Sequence, residues 1–400
     1  MILRTFRQIQ NYSRYFAQLL AHNFKFTTAK LIVSNRQCRN LAALLTIVAA
    51  AEPNRKNRRR SISKAKYNMS LEGKAHHYLN SLKVRWMQLH EIPGLFAYQL
   101  PDTKPNRLLR GKHGFYAELN ENRTLKRRAP QTIENLNPTF KPKAFNFNKV
   151  DALEVMMTID KEKDNAEVQM IINKSPITKY HTLVCPDVKS NLVQRITPES
   201  LSFCVRFMRS IKDPAMRLGY NSPGALASVN HLHYHLLQIH QELYIDRVKL
   251  EPLAGGYAYR LSQDSPTEAI CFVIERKDDE EQVREKIQTI YKLTECLCNN
   301  NLPHNVFMTR HRQTDNLQVF VFVRQKYCVN KDLADFNVGF CELVGYLPMG
   351  DPQRLERITE TDVLERIRDI TGSAYKDIYQ LVQHLVSGTI DSYFQLPFTI

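Results

Sequence analysis

The chain has 400 residues, with 56 Lys and Arg against 40 Asp and Glu and a formal net charge of +16, which gives room for about two or three domains. Such an excess first suggests a nucleic-acid or membrane partner, but residues 1–70 hold 14 basic residues against one acid, Glu52, leaving only +3 for the rest. The body is nearly balanced, so neither nucleic acid nor membrane is expected as its partner.

The basic segment, residues 1–70, reads as a disordered extension, with Asn54 to Lys66 as a solvated linker around Arg58-Arg59-Arg60. The alternative is a mitochondrial presequence. No acid precedes Glu52, Arg4, Arg7 and Arg14 are spread along it, and Ile2, Phe6, Ile9, Ser13, Phe16 and Leu20 recur by threes and fours. The longest apolar run, Leu41 to Ala51, has 11 residues, short of the ~20 that span a bilayer. The extension aside, a cytoplasmic location is expected. The eight cysteines are scattered, and only Cys296 and Cys298 are close, too few for a zinc site. Free thiols in a reducing compartment are the simpler account.

Residues 71–150 mix short apolar segments with Pro and Gly, which predicts strands and loops rather than long helices. In residues 71–245, the first folded domain, Val168–Ile172 reads as a strand ended by the turn Asn173-Lys174-Ser175-Pro176. A second strand, His181–Cys185, is closed by Pro186. Thr197-Pro198-Glu199 then supplies an N-cap, a proline at the first helical position and an acid in the first turn. Leu201, Cys204, Val205, Met208 and Ile211 form the buried stripe of that helix. Gly219 and Gly224 predict a loop before the last strand, Val229–Ile239.

Residues 246–400, the second domain, follow a related plan. Ala269–Ile274 reads as a strand, Asp278–Leu297 as a helix and Asn305–Thr309 as a strand. Val319–Val323 reads as a strand buried on both faces, and Thr361–Val386 as largely helical. The fold class expected is α+β: two halves with antiparallel sheets flanked by helices.

The chemistry concentrates in His231-Leu232-His233-Tyr234-His235. On a strand, His231, His233 and His235 share one face about 6–7 Å apart in succession, with Leu232, Tyr234 and Leu236 on the other. Three imidazoles on one face are an expensive arrangement for packing alone. In one reading the neutral imidazole of His233 attacks phosphorus while its second ring nitrogen is held by a carbonyl. The neighbouring histidines and the amides of Asn221-Ser222-Pro223-Gly224 then stabilise phosphate oxygens. In the other, the three imidazoles bind zinc and a water attacks. Spacing alone leaves both open.

The segment from Asn221 to His235, with Ser228-Val229 just upstream of the run, resembles the histidine-triad signature. Asn173, Pro176 and His181 resemble its upstream strand-turn-strand element. More narrowly, the chain is similar to the GDP-D-glucose phosphorylases, relatives of plant GDP-L-galactose phosphorylase. The matching blocks are Gly114-Phe115, Arg127 to Ile133, Phe145 to Lys149, the histidine run, Pro303 to Arg310 and Phe336 to Pro348. Ala227 stands where the superfamily often has glutamine, as it does in the phosphorylase branch. The usual Gly-His pair of the upstream element is here Tyr180-His181, a departure that bears on the turn and not on the chemistry at His233.

The resemblance implies two histidine-triad-like halves, the second without a triad of its own. It implies the reaction of GDP-D-glucose with inorganic phosphate to give GDP and glucose 1-phosphate, through a guanylyl group on His233. His231 and His235 are then catalytic, and Asn221, Ser228, His181 and Asn173 bind substrate or phosphate. No metal or other cofactor is needed on this route. His304 and Arg310 are candidates to reach the site from the second half. The rival functions are a histidine-triad hydrolase of nucleotide sugars or dinucleotides, a metal-dependent hydrolase, and a guanine-nucleotide-binding regulator.

Overall fold

A computed structural model describes residues 71–161, 166–329, 337–372 and 375–389. The expectations for the basic extension, Cys38 and Phe336 lie outside them. Among the described residues no helix is long and apolar enough to cross a membrane.

In chain order the elements are α1 (Leu71–His90), β1 (Asn106–Leu108), β2 (Tyr116–Leu119), α2 (Glu121–Lys126), β3 (Val155–Ile159), β4 (Val168–Ile172) and β5 (Thr182–Pro186). There follow α3 (Pro198–Ser210), β6 (Met216–Asn221), β7 (Tyr234–Gln238), β8 (Leu250–Ala254), β9 (Ala258–Leu261) and β10 (Ile270–Ile274). The remainder are α4 (Glu280–Asn299), β11 (His304–Arg310), β12 (Leu317–Val323), α5 (Phe340–Leu343), β13 (Tyr346–Met349), α6 (Pro352–Arg357), α7 (Glu360–Thr371) and α8 (Tyr375–Ser387).

Ten strands form one antiparallel sheet in the order β3-β4-β5-β7-β6-β11-β12-β10-β9-β8. Read inward from either edge, the two halves are the same: three strands in succession, then the fifth, then the fourth, with a helix (α3 or α4) between the third and fourth in sequence. They meet at β6 and β11, where Asn221 pairs with Asn305 and Gly219 with Phe307. The fold is therefore α+β with two histidine-triad-like halves joined edge to edge.

Strand alternation sorts the sheet into two faces. Tyr234 and Leu236 of β7, Val306 and Met308 of β11, and Val319 and Val321 of β12 face a core shared with α1, α3, α4 and α8. Leu237, Phe307, Phe320 and Phe322 face the other way, into a core shared with β2, β13, α5 and α7. Those last elements include a small second sheet, β1-β2-β13, in which β13 runs parallel to β2. The candidate residue His235 of β7 lies on this second face, with Leu237.

Local chemistry explains most elements. The Thr197 hydroxyl accepts the Ser200 N–H at the start of α3, and the expected stripe from Leu201 to Ile211 is buried. Asp279 caps α4 by accepting from the Glu281 and Gln282 amides. All of β12 is buried, as its unbroken apolar run required.

Two expectations are corrected. Residues 71–90 form a 20-residue helix rather than strands and loops. Its buried stripe is Ala75, Leu79, Leu82, Trp86 and Leu89, but Val84 and Met87 sit exposed on the outer face and blur the period in sequence. Gly219 lies within β6 rather than in a loop; it is a glycine because a β-carbon there would overlap the Phe340 ring packed against that strand.

Candidate active site

The turn after β4 begins the site. Asn173 Oδ1 accepts the Ser175 N–H at 3.0 Å, and the chain re-enters the sheet through Tyr180, whose φ of +60° is the left-handed conformation that glycine adopts freely. The turn therefore survives the substitution at a cost of roughly 1–2 kcal/mol of backbone strain. The Tyr180 ring offsets it by packing edge-on against Trp86 of α1 at 5.6 Å. Trp86 also donates its indole N–H to the His181 carbonyl at 3.3 Å, so the unforeseen helix supports this turn directly.

The histidine run enters the sheet later than expected, since the strand begins at Tyr234. His231, Leu232 and His233 are held instead by single contacts. The Leu232 N–H donates to the Leu192 carbonyl at 2.9 Å. The His233 N–H donates to Gln194 Oε1 at 3.0 Å, and Gln194 Nε2 returns to the His233 carbonyl at 3.1 Å. Gln194 Nε2 also reaches the Asn221 carbonyl at 2.9 Å, tying the run to the end of β6.

Hydrogen bonds fix the ring tautomers. His231 accepts the Phe147 N–H at Nδ1 (3.0 Å), so its proton sits on Nε2 and is donated to the Val188 carbonyl (3.1 Å). Both nitrogens are thus committed to backbone, and burial holds its pKa down at about 4. His233 Nδ1 lies 2.8 Å from the His231 carbonyl; a carbonyl only accepts, so the proton is on Nδ1 and the ring's lone pair on Nε2. His181 accepts the Ile177 N–H at Nδ1 (2.9 Å), which puts its proton on Nε2, 2.9 Å from His235 Nδ1 and 3.1 Å from Asn173 Nδ2; an amide nitrogen cannot accept, so the proton is donated to His235. His235 then carries its own proton on Nε2. Burial keeps the His181 pKa well below the ordinary imidazole value.

Two cavities flank this array. The larger, about 370 Å³, is lined by Phe145, Phe147, Ile171, Asn173, Val229, His233 and His235 among others. The smaller, about 230 Å³, is lined by Asn221, Asn337, Phe340, Glu342, Thr124 and Asp351 among others. Arg123, Arg127, Ser228 and His235 are common to both.

Of the residues singled out in sequence, the structure brings His233, His235, Ser228, Asn173 and Asn221 to the cavity walls. His231 and His181 lie behind them, fully buried, and orient their neighbours. Asn221 Oδ1 accepts from Asn305 Nδ2 at 2.6 Å and from the Phe340 N–H at 3.2 Å, which turns its amide nitrogen away from both. The expectation for His304 and Arg310 is corrected by strand parity. Both fall on the helix-side face of β11, His304 bonded to the Leu302 carbonyl and Arg310 to the Met208 carbonyl and Asp315. It is Asn305, of the opposite parity, that falls on the site face, buried beneath Asn221.

Sequence reasoning missed Arg123, Arg127, Gln194 and Gln131. Gln131 was in a matching block without a role. It accepts the Asn230 N–H at 3.0 Å and donates to the Phe145 carbonyl at 2.6 Å, joining the Arg127 block, the Phe145 block and the histidine run.

The chain is similar to known proteins. Residues 78–237 match the family described as GDPGP1-like, N-terminal domain, and residues 263–392 match GDPGP1-like, C-terminal domain. The chain is 32% identical to GDP-D-glucose phosphorylase 1 of Homo sapiens over 319 residues, 76% of this chain and 82% of that protein. It is 30% identical to GDP-L-galactose phosphorylase 1 of Arabidopsis thaliana over 235 residues, 54% of this chain and 52% of that one. The crystal structure of yeast Ap4A phosphorylase Apa2 shares the fold with a TM-score of 0.52 at 15% identity, covering 74% of this chain and 95% of that one.

Proposed function

The chain belongs to the GDPGP1-like family, and on that premise we propose that it is a nucleotidyltransferase that converts GDP-D-glucose and inorganic phosphate to GDP and glucose 1-phosphate. The observation that carries the covalent route is the tautomer of His233. Its Nδ1–H is anchored on the His231 carbonyl, which leaves Nε2 as the nucleophile on the wall of the larger cavity.

In the first displacement Nε2 attacks the α-phosphorus, a P–N bond forms, and the bond to the bridging oxygen breaks to release glucose 1-phosphate. In the second, an oxygen of inorganic phosphate attacks the guanylyl phosphorus, the P–N bond breaks, and GDP leaves. His235 presents a donor N–H at Nε2 because His181 donates into its Nδ1. That donor, with Ser228 and the amide nitrogens of Asn221 and Asn173, stabilises charge that grows on phosphate oxygens. His231 acts through position: bonded at both ends to backbone, it fixes the carbonyl on which His233 rests.

The apolar and aromatic walls of the larger cavity, Phe145, Phe147, Val150 and Ile171, suit a nucleoside. The polar walls of the smaller one suit a sugar. Labelled GDP-glucose mixed with the protein without phosphate should leave an acid-labile guanylyl group on it, discharged when phosphate is added. Turnover without such an adduct, in rapid-quench samples, would remove the covalent route.

A further inference from the structure

We propose that Arg123 and Arg127 form one clamp that serves two phosphates in turn: the sugar phosphate that leaves in the first displacement and the inorganic phosphate that enters in the second. The proposal rests on the reading given under Proposed function and assigns the group that handles its leaving and entering anions.

Three observations carry it. First, His233 lines only the larger cavity, whereas Arg123, Arg127, Ser228 and His235 line both. A diphosphate attacked at its α-phosphorus by His233, with its nucleoside in the larger cavity, must place its β-phosphate at this shared boundary. Second, the Arg127 guanidinium is half-buried and makes no hydrogen bond or ion pair among the described residues. Burial and the neighbouring Arg123 both depress its pKa, as expected of a cationic site built to receive an anion. Its chain neighbour Arg128 contrasts with it, lying over the Phe145 ring at 3.7 Å. Third, Arg123 and the helix that carries it are held in place independently of any ligand. Asn120 caps α2 by accepting the Arg123 N–H at 3.2 Å and donates to the Pro176 carbonyl at 3.1 Å. Arg123 Nη1 donates to the Ser175 carbonyl. The helix is thereby tied to the turn that leads to His181, so the clamp and the His181–His235 pair share one support.

The two displacements make the same demand on this position. In the first, negative charge accumulates on the β-phosphate as the bridging bond breaks. In the second, a phosphate dianion must approach a phosphorus that already bears negative oxygens. A guanidinium at the boundary lowers both barriers.

The experiment uses Arg127→Gln and Arg127→Lys in the full chain, with melting temperatures recorded beside rates. Guanylylation is measured from two donors, GDP-glucose and guanosine 5′-phosphorimidazolide, whose imidazole leaving group bears no phosphate. Discharge of the isolated guanylyl-protein is then followed against phosphate concentration. Arg127→Gln should slow guanylylation by GDP-glucose about 10²–10³-fold, the usual loss when one oxyanion donor is removed. It should leave the phosphorimidazolide reaction near the wild-type rate and shift the discharge to higher phosphate. Arg127→Lys should recover part of each loss, since charge is kept and the fork is not. Equal slowing with both donors would put Arg127 beside the α-phosphate and overturn the clamp, as would no slowing with either. If wild-type protein is guanylylated by neither donor, the covalent reading itself falls and the clamp with it.

Discussion

The two halves of the sheet share strand order and helix placement, yet they differ in what they present on the site face. One row of paired residues runs from His235 to Gly219, across the seam to Phe307, and on to Phe320 and Cys271. Where β7 carries His235, β12 carries Phe320 and Phe322, both fully buried in the second-face core. A strand that buries phenylalanines in the core with β13, α5 and α7 presents no imidazole on this face. The comparison teaches that this scaffold fixes where a nucleophile can stand without requiring one. The second half contributes in another way: its later segment, Asn337 to Arg354, builds most of the smaller cavity.

The strongest test of that division is an exchange. His233→Ala should abolish both the guanylyl adduct and turnover, because His231 has both ring nitrogens on backbone and cannot take over. Phe320→His in the second half should add no adduct in that background. An adduct on the His233→Ala protein would show that the nucleophile lies elsewhere. Next in size, His235→Ala should lower the rate about 10²–10³-fold with the adduct still formed, the range expected for one lost donor. His231→Ala should also leave measurable turnover, but with a lower melting temperature. It strands the buried Phe147 N–H and Val188 carbonyl, each costing roughly 1–3 kcal/mol. If His231→Ala alone cannot be guanylylated, the roles within the run are misassigned.

A third test addresses the seam. Arg217 on β6 makes a bidentate pair with Asp246 at 2.7 and 2.6 Å, fully buried, and also donates to Thr309 on β11. Asp246→Ala leaves an uncompensated buried guanidinium and should cost about 3–5 kcal/mol, far more than an exposed pair. Urea denaturation measures it. A loss below about 1 kcal/mol, the size of a surface pair, would mean that water reaches the site.

Much of this was legible in the sequence, and the reasons are particular. The strand at Val168–Ile172 and the helix from Pro198 stand out because a short apolar run and a capped N-terminus are local signals. His233 was legible because period two at three histidines is rare without a purpose. The misses are contacts made over distance. Gly219 looks like a turn until Phe340, 121 positions later, is seen against it. Gln194 has no motif around it, yet it fixes the backbone of residue 233. Arg127 sat in a recognised block, but only the two cavities meeting at its side chain give it a task. The face on which His304 falls depends on where β11 pairs with β6, which sequence does not specify.

Both halves contain buried neutral histidines, His181 and His231 in the first and His304 in the second, and these make stability depend on pH. Burial holds His231 and His304 at about 4, below the usual 6.5. The unfolded chain therefore takes up protons first as the pH falls. The stability these two rings contribute is complete above pH 6.5 and is lost as the pH drops towards 4, by up to about 1.4 kcal/mol per histidine per unit. His304→Phe, which removes one of these rings, should reduce the acid slope by up to about 1.4 kcal/mol per pH unit between the usual 6.5 and about 4. An unchanged slope would place the sensitivity in other groups.

The smallest effect expected is that of chelation. A histidine run at this spacing can also hold zinc, and sequence alone left that open. A tetrahedral site needs ring nitrogens whose lone pairs converge on one point. Here His231 uses its Nδ1 lone pair to accept from Phe147 and its Nε2–H to donate to Val188. The His235 Nδ1 lone pair accepts from His181, and His233 Nδ1 is turned onto a carbonyl. Binding a metal through all three rings would require breaking at least one bond at His231 and the one from His181 to His235. Each of these is buried, so each break costs roughly 1–3 kcal/mol. Exhaustive dialysis against EDTA or a zinc-selective chelator should therefore leave the guanylylation rate and the melting temperature unchanged. Loss of turnover that zinc restores, and other divalent ions do not, would make the run a metal centre and replace the covalent route with attack by a metal-bound water.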